Sequence, residues 1–208
     1  MSHPDESFSP VGVYAVIPAA GQSKRMGAPK QLLSYGEGTV LETVIETVLA
    51  APMNGLAVVA NSAVADELDL AEDPRFLTAI NDDAESQMLD SICLGLEALR
   101  AECNPPADSG ILVCPGDMPG IDVEALKACV AAFVDRSNRI VVATHQGKHG
   151  HPIIVPLSMT AELSSITEGG LAVLLRRHPE RVQEVECASS GVTRDLDTPE
   201  DYDSLQEQ

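Results

Sequence analysis

Repeatedly between residues 11 and 144, a short apolar run gives way to a longer stretch whose apolar residues recur at helical spacing, and few architectures accommodate that rhythm. Residues 11–17, 56–60, 76–80, 111–114 and 139–144 read as buried strands. Between them, Leu41, Val44, Ile45, Val48 and Leu49 mark an amphipathic helix closed by Pro52 and Asn54-Gly55. Met88, Leu89, Ile92, Cys93, Leu96 and Leu99 mark a second, and Val123, Leu126, Val130 and Phe133 a third. The spacing also predicts a short acidic helix over 64–70. Strands separated by helices pair in parallel, because a right-handed crossover returns the chain to the same sheet in the same direction. The expected fold class is α/β: three α/β/α layers around a doubly wound, mainly parallel sheet, with the first strand inside it and not at an edge.

The pattern loosens after residue 144. Residues 147–152 read as a turn or loop, 153–155 as a short strand, and 163–177 as one or two helices interrupted at Gly169-Gly170. Residues 182–187 alternate apolar and acidic side chains, as a half-exposed edge strand does. Thr198 followed by Pro199 reads as the N-cap and first position of a closing helix.

At 208 residues and 44% apolar content, the chain has material for one core, so a single domain over 11–206 is expected, with 1–10 read as disordered. A net charge of −19 argues against nucleic acid and anionic membrane as partners. No apolar run approaches the roughly 18–20 residues of a membrane span, and the polar first residues do not resemble a signal peptide, so the cytoplasm is the expected compartment. The cysteines, Cys93, Cys103, Cys114, Cys129 and Cys187, are scattered and form no Cys-x-x-Cys pair. They read as buried apolar residues, not as a disulfide framework or zinc site. His145, His149 and His151 lack the spacing of a helical metal motif.

The first strand empties into Pro18-Ala19-Ala20-Gly21-Gln22-Ser23-Lys24-Arg25-Met26-Gly27-Ala28-Pro29-Lys30. Small residues and glycines after a strand let backbone N–H groups converge on an anion. Lys24, Arg25 and Lys30 bring three of the 13 basic residues of the chain to this stretch. The stretch is neither a Walker A loop nor a Gly-x-Gly-x-x-Gly turn. In open α/β sheets ligands bind beyond the carboxyl ends of strands, which raises interest in Asp117, directly after the strand at 111–114. A carboxylate there suits Mg²⁺, a hard cation that takes one or two carboxylates alongside substrate phosphates. Asp195 and Asp197 offer a second carboxylate, and spacing leaves open which of them reaches the site.

The run Ala19 to Lys30, succeeded in order by Gly116-Asp117-Met118-Pro119, Gly150-His151-Pro152 and Asp195-Leu196-Asp197-Thr198-Pro199-Glu200-Asp201, resembles the molybdenum cofactor nucleotidyltransferases, the cytidylyltransferase branch especially. The resemblance implies a nucleotide-diphospho-sugar transferase-like fold. It also implies Mg²⁺ as cofactor, a nucleoside triphosphate as donor, and a phosphorylated small molecule, molybdopterin in the family, as acceptor. By the same resemblance, Ala19, Ala20, Gly21, Ser23, Arg25, Lys30, Asn81 and His151 serve binding, with Arg25 and Lys30 on the triphosphate and His151 on the acceptor side. Arg25, Lys30 and Asp117 would be catalytic, and Asp117 and Asp197 would hold the metal. Ala20 stands where guanylyltransferase relatives carry a second glycine, and its methyl group favours CTP over GTP. The chain departs from the family at Gln87, usually a glycine, and at Ala172, where an arginine often stands. These departures leave two alternatives: a sugar phosphate or other acceptor on the same fold, or a maturation factor that binds nucleotide without turnover.

Overall fold

The computed structural model describes residues 11–21, 29–69 and 72–206. In chain order the elements are β1 (Val13–Pro18), β2 (Ser34–Tyr35), β3 (Gly38–Thr39), α1 (Val40–Leu49), β4 (Gly55–Ala60), α2 (Ser62–Ala65), β5 (Phe76–Ile80), α3 (Met88–Glu102), β6 (Gly110–Val113), α4 (Val123–Asp135), β7 (Ile140–His145), β8 (Lys148–Pro156), α5 (Leu171–Arg177), β9 (Val182–Glu186) and α6 (Pro199–Gln206). Short 3₁₀ turns cover Lys30–Leu32, Leu157–Ser165, Pro179–Arg181 and Ser190–Thr193.

β2 and β3 form a small antiparallel pair, and the other strands make one sheet in the order β5-β4-β1-β6-β8-β7-β9. β1 lies inside it, parallel to β4 on one side and β6 on the other. β8 runs antiparallel to both β6 and β7, and the remaining described pairs are parallel. Both faces are covered. Val13, Ala15 and Ile17 of β1 pack with Leu41, Ile45 and Val48 of α1 and Leu126 and Phe133 of α4. Tyr14 and Val16 point the other way, toward Leu89, Ile92 and Leu96 of α3 and Leu171 and Leu174 of α5. The period of two along β1 thus meets a helix layer on each side, the three-layer arrangement expected. Gly95 lets α3 approach closely, since a Cβ there would stand 2.6 Å from Val16 Cγ1.

Local chemistry accounts for most element ends. Thr39 caps α1 in a reciprocal box: its Oγ1 accepts from the Glu42 N–H at 3.2 Å, and Glu42 Oε2 accepts from the Thr39 N–H at 2.8 Å. Thr198 begins α6 as expected, accepting from the Asp201 N–H.

Two expectations need correction. The acidic helix over 64–70 is a single turn, Ser62–Ala65. Asp66, Glu67 and Asp69 crowd the end where the helix dipole is negative, which opposes propagation. Leu70 lies outside the described residues, as do residues 1–10. Residues 148–152 are not a loop but the first half of β8. The reversal is made by Gln146 and Gly147 alone, at φ 51° and 74°, a two-residue hairpin turn of the type that matches strand twist. Pro152 is tolerated because the β7–β8 register shifts there, leaving Ala143 opposite the bulged stretch 150–152.

Candidate active site

β1 delivers the chain to the carboxyl edge of the sheet, and two anchors fix the residues just past its end. The Ala19 N–H donates to the Val59 carbonyl at 2.7 Å, prolonging the β1–β4 ladder. Gln31, a buried side chain, donates its amide to the carbonyls of Ala19 and Gly21 at 3.0 Å each. Sequence reading had no role for Gln31; its one signal is a polar residue beside Lys30 in a stretch that must turn back onto the sheet. On the facing wall, the Gly116 N–H donates to the Pro18 carbonyl at 3.1 Å. A Cβ on Gly116 would stand 2.9 Å from both Ala19 Cβ and Leu41 Cδ1, so the loops after β1 and β6 lie side by side only with glycine.

Lys30, Asp117 and Asp197 converge in front of these loops. Lys30 Nζ stands 2.5 Å from Asp117 Oδ2 and 3.0 Å from Asp197 Oδ1. The lysine side chain is 14% exposed, Asp117 19% and Asp197 48%. Asp197 is brought there by its neighbour: the Leu196 N–H donates to the Asp117 carbonyl at 3.0 Å, and the Leu196 side chain is fully buried. Tyr202 of α6 donates its hydroxyl to the Ser34 carbonyl at 2.7 Å, tying the closing helix to β2. Burial draws the pKa of the Lys30 ammonium down, but the Asp117 charge and hydrogen bonds to both carboxylates outweigh it, and the pKa stands above that of a free lysine. Asp117 Oδ1 is buried with no hydrogen-bond partner among the described residues.

Two pockets meet at Asp117. The smaller, about 120 Å³, is lined by Ala19, Ala20, Gly21, Lys30, Ser86, Gln87 and Gly116 among others. The larger, about 420 Å³, shares Met88, Pro115 and Asp117 with it and runs on to His151, Gly170, Ala172 and Asp195. Among the described residues lining the larger pocket none is Lys or Arg. His151 is half-buried in the pocket wall, and burial pushes its pKa down to about 4 against the pull of Asp195, so the imidazole is neutral near pH 7. Of the two late carboxylates, Asp197 joins Lys30 while Asp195 faces the His151 pocket.

Asn81 lines neither pocket. Its amide donates to Ser86 Oγ at 2.7 Å and Ser91 Oγ at 3.1 Å, which fixes the turn that carries Ser86 and Gln87 to the cleft. Ser23 and Arg25 lie outside the described residues. His145, His149 and His151 do not converge: His145 Nδ1 is 3.0 Å from the Cys187 carbonyl, and His149 pairs with Glu184 at 2.7 Å. The cysteines are free thiols, and burial raises that of Cys114 to about 12, far from a reactive thiolate. Among the described residues no helix is long and apolar enough to cross a membrane.

A mixed α/β/α sheet with a lysine and two carboxylates beyond the carboxyl edge of its parallel strands places charged groups where open α/β sheets bind their ligands. The chain belongs to the MobA-like NTP transferase domain family, whose model matches residues 15–182. It is 27% identical over 198 residues to nicotine blue oxidoreductase of Paenarthrobacter nicotinovorans, covering 90% of this chain and 93% of that one. It is 26% identical over 195 residues to molybdenum cofactor cytidylyltransferase of Escherichia coli strain K12, covering 92% and 94%. In structure it resembles Rv0371c of Mycobacterium tuberculosis H37Rv, with a TM-score of 0.78, 24% identity, and 95% and 98% of the two chains covered. A second structure of that mycobacterial protein is a complex with manganese.

Proposed function

We propose that the protein is a metal-dependent nucleotidyltransferase that moves a nucleoside monophosphate from a triphosphate, CTP in preference to GTP, to a phosphorylated acceptor, with release of pyrophosphate. The observation that carries this reading is the bridge of Lys30 between Asp117 and Asp197 beside the anchored loop Ala19-Ala20-Gly21. Lys30, together with Arg25, would take the triphosphate.

The chemistry of the carboxylate pair fits Mg²⁺. Asp117 Oδ1 is a buried oxygen without a partner among the described residues, and a cation would satisfy it. No third side chain joins the pair among the described residues, the pattern Mg²⁺ takes when substrate phosphates and water complete its shell. The manganese complex of the mycobacterial protein supports a divalent ion. When bound, the ion would supply charge neutralisation at the reacting phosphates, held by Asp117 and Asp197.

The rest of the work is positioning. An acceptor phosphate has a second pKa near ~6 and is mostly dianionic at neutral pH, so its oxygen attacks the α-phosphorus without a strong general base. The carbonyls tied to Gln31 hold the loop rigid, and Lys30 neutralises charge that leaves with pyrophosphate. Neutral His151 faces the neighbouring pocket as a hydrogen-bonding group without charge, the place for the acceptor body. Molybdopterin is the acceptor the family points to. With Ala172 in place of the family arginine and no Lys or Arg among the described lining, the pocket favours an acceptor whose only strong anion is the reacting phosphate.

The test is pyrophosphate release with each of the four triphosphates and Mg²⁺, in the presence of molybdopterin, of a sugar phosphate, or of neither. CTP with molybdopterin is expected to be fastest. The CTP margin over GTP is about ten- to two-hundred-fold, the worth of one methyl group in pocket shape, and Ala20→Gly narrows it. Absence of release with every triphosphate and acceptor would leave the nucleotide-binding maturation factor as the reading.

A further inference from the structure

Two carboxylates held within reach of one another repel unless a cation stands between them, and in this structure that cation is Lys30. Its ammonium reaches one oxygen of each, at 2.5 Å and 3.0 Å. The main chain that carries the two carboxylates is held together, since the Leu196 N–H donates to the Asp117 carbonyl and the stretch beyond is tied down through Tyr202 and Ser34. Lys30 is largely buried, so it does not leave the pair for bulk water without a replacement anion. A divalent ion on the same two carboxylates would sit against the ammonium, and two cations in one partly buried site repel.

We propose that Lys30 locks the carboxylate pair against free metal, and that a divalent ion gains Asp117 and Asp197 only together with a triphosphate that draws the lysine onto its own oxygens. This rests on the triphosphate reading above. In the exchange no charge is left unpaired: the pair gives up an ammonium and receives the metal, while Lys30 gives up two carboxylates and receives phosphate, and the triphosphate's excess negative charge offsets the extra positive charge of the metal. Metal and nucleotide therefore bind as one unit. A polyanion without metal loosens the lock, and metal without a polyanion does not.

The probe is Mn²⁺, monitored by the loss of its free-ion electron paramagnetic resonance signal, with wild type, Lys30→Gln and the double variant Lys30→Gln/Asp117→Asn. The nucleotide arm uses the α,β-methylene analogue of CTP, which does not turn over; because the analogue itself chelates Mn²⁺, binding in that arm is the Mn²⁺ retained with the protein on a desalting column, read against analogue alone. Without nucleotide, Lys30→Gln is expected to bind Mn²⁺ at least ~10-fold more tightly than wild type, the double variant is expected to lose that gain, and wild type is expected to match it only with the analogue present. A Lys30→Gln chain that binds Mn²⁺ no better than wild type, or a wild type that binds it equally with and without analogue, overturns the lock while leaving the triphosphate reading intact. Failure of wild type to bind Mn²⁺ with the analogue overturns both.

A second measurement is made on the wild type. The chain has four lysines, so their side-chain ammonium groups give a simple ¹H–¹⁵N spectrum. The Lys30 ammonium, held by two carboxylates, is expected to exchange slowly enough to be seen, and a Lys30→Gln spectrum assigns it. It is expected to shift on adding the analogue in the presence of a chelator and to stay in place with Mg²⁺ alone; the reverse pattern overturns the proposal.

Discussion

The sheet joins two halves built on different rules. β5, β4, β1 and β6 are parallel, linked by crossovers, and end at one edge, where Gly21, Lys30 and Asp117 stand in loops that directly succeed strands or their turn. β8, β7 and β9 are mixed in direction, and their pocket is made by a bulge at His151, a glycine turn before α5 and a segment from near the end of the chain. The first half is the kind of surface any parallel sheet offers a phosphate. The second half is built from a hairpin, a bulge and a late segment, and with that segment it brings Asp197 to Lys30 and lines the pocket at His151. On the proposed function this is a division of labour, with the triphosphate on one side of Asp117 and the acceptor on the other.

The largest effect should come from the junction. Asp117→Asn is expected to lower kcat/KM for pyrophosphate release by about 10²–10³, and the more exposed Asp197→Asn by only about tenfold. Equal losses would mean that the two halves share the metal evenly and would break the comparison. On the parallel side, Lys30→Ala should raise KM for the triphosphate by about 10- to 100-fold with a smaller change in kcat, measured by initial rates.

The mixed half is better probed through stability. A Cβ on Gly150 would run into the Val192 carbonyl, so Gly150→Ala must push the segment at 190–193 off β8. A cost of about 3 kcal/mol is expected, a fall in Tm of about 6–12 °C by calorimetry, with loss of activity because Asp197 moves as well. A smaller effect should come from His151. Its pKa lies at about 4 in the folded chain against 6.5 in a free histidine. As pH falls through that window the unfolded chain takes up a proton that the native chain refuses. The contribution of His151 to stability is thus intact above pH ~6.5 and is lost toward pH ~4, about 3 kcal/mol in all. Comparing Tm against pH for wild type and His151→Gln isolates it: the variant should show the shallower acid decline. Parallel declines would mean that the pocket of the mixed half is open to solvent.

The sequence by itself determined the elements whose signal is local. Apolar period two or 3.6 and Thr198 with Pro199 each act within a few residues, so the longer strands and the three long helices to residue 144, the interior place of β1 and the start of α6 could be read directly, whereas the small β2–β3 pair and the single turn of α2 were not. The same holds for Asp117, since a residue just past a parallel strand is near the ligand edge whatever the other strands do, while Lys30 stood out as one of three clustered basic residues in a chain that has few. Reading failed where a local signal competed with a distant one. Gly150 and Pro152 look like loop residues, yet pairing of Lys148 and His149 with β7 before them and of residues 153–156 with β6 after them keeps them within β8, and the reversal falls on Gln146-Gly147 instead. Only the tertiary structure chose Asp197 over Asp195 as the partner of Lys30, through a single backbone hydrogen bond from Leu196 to Asp117, and only it gave Gln31 a purpose. Both outcomes depend on contacts between residues far apart in the chain, which are set by where the sheet brings its edges together and leave no periodic trace in the sequence.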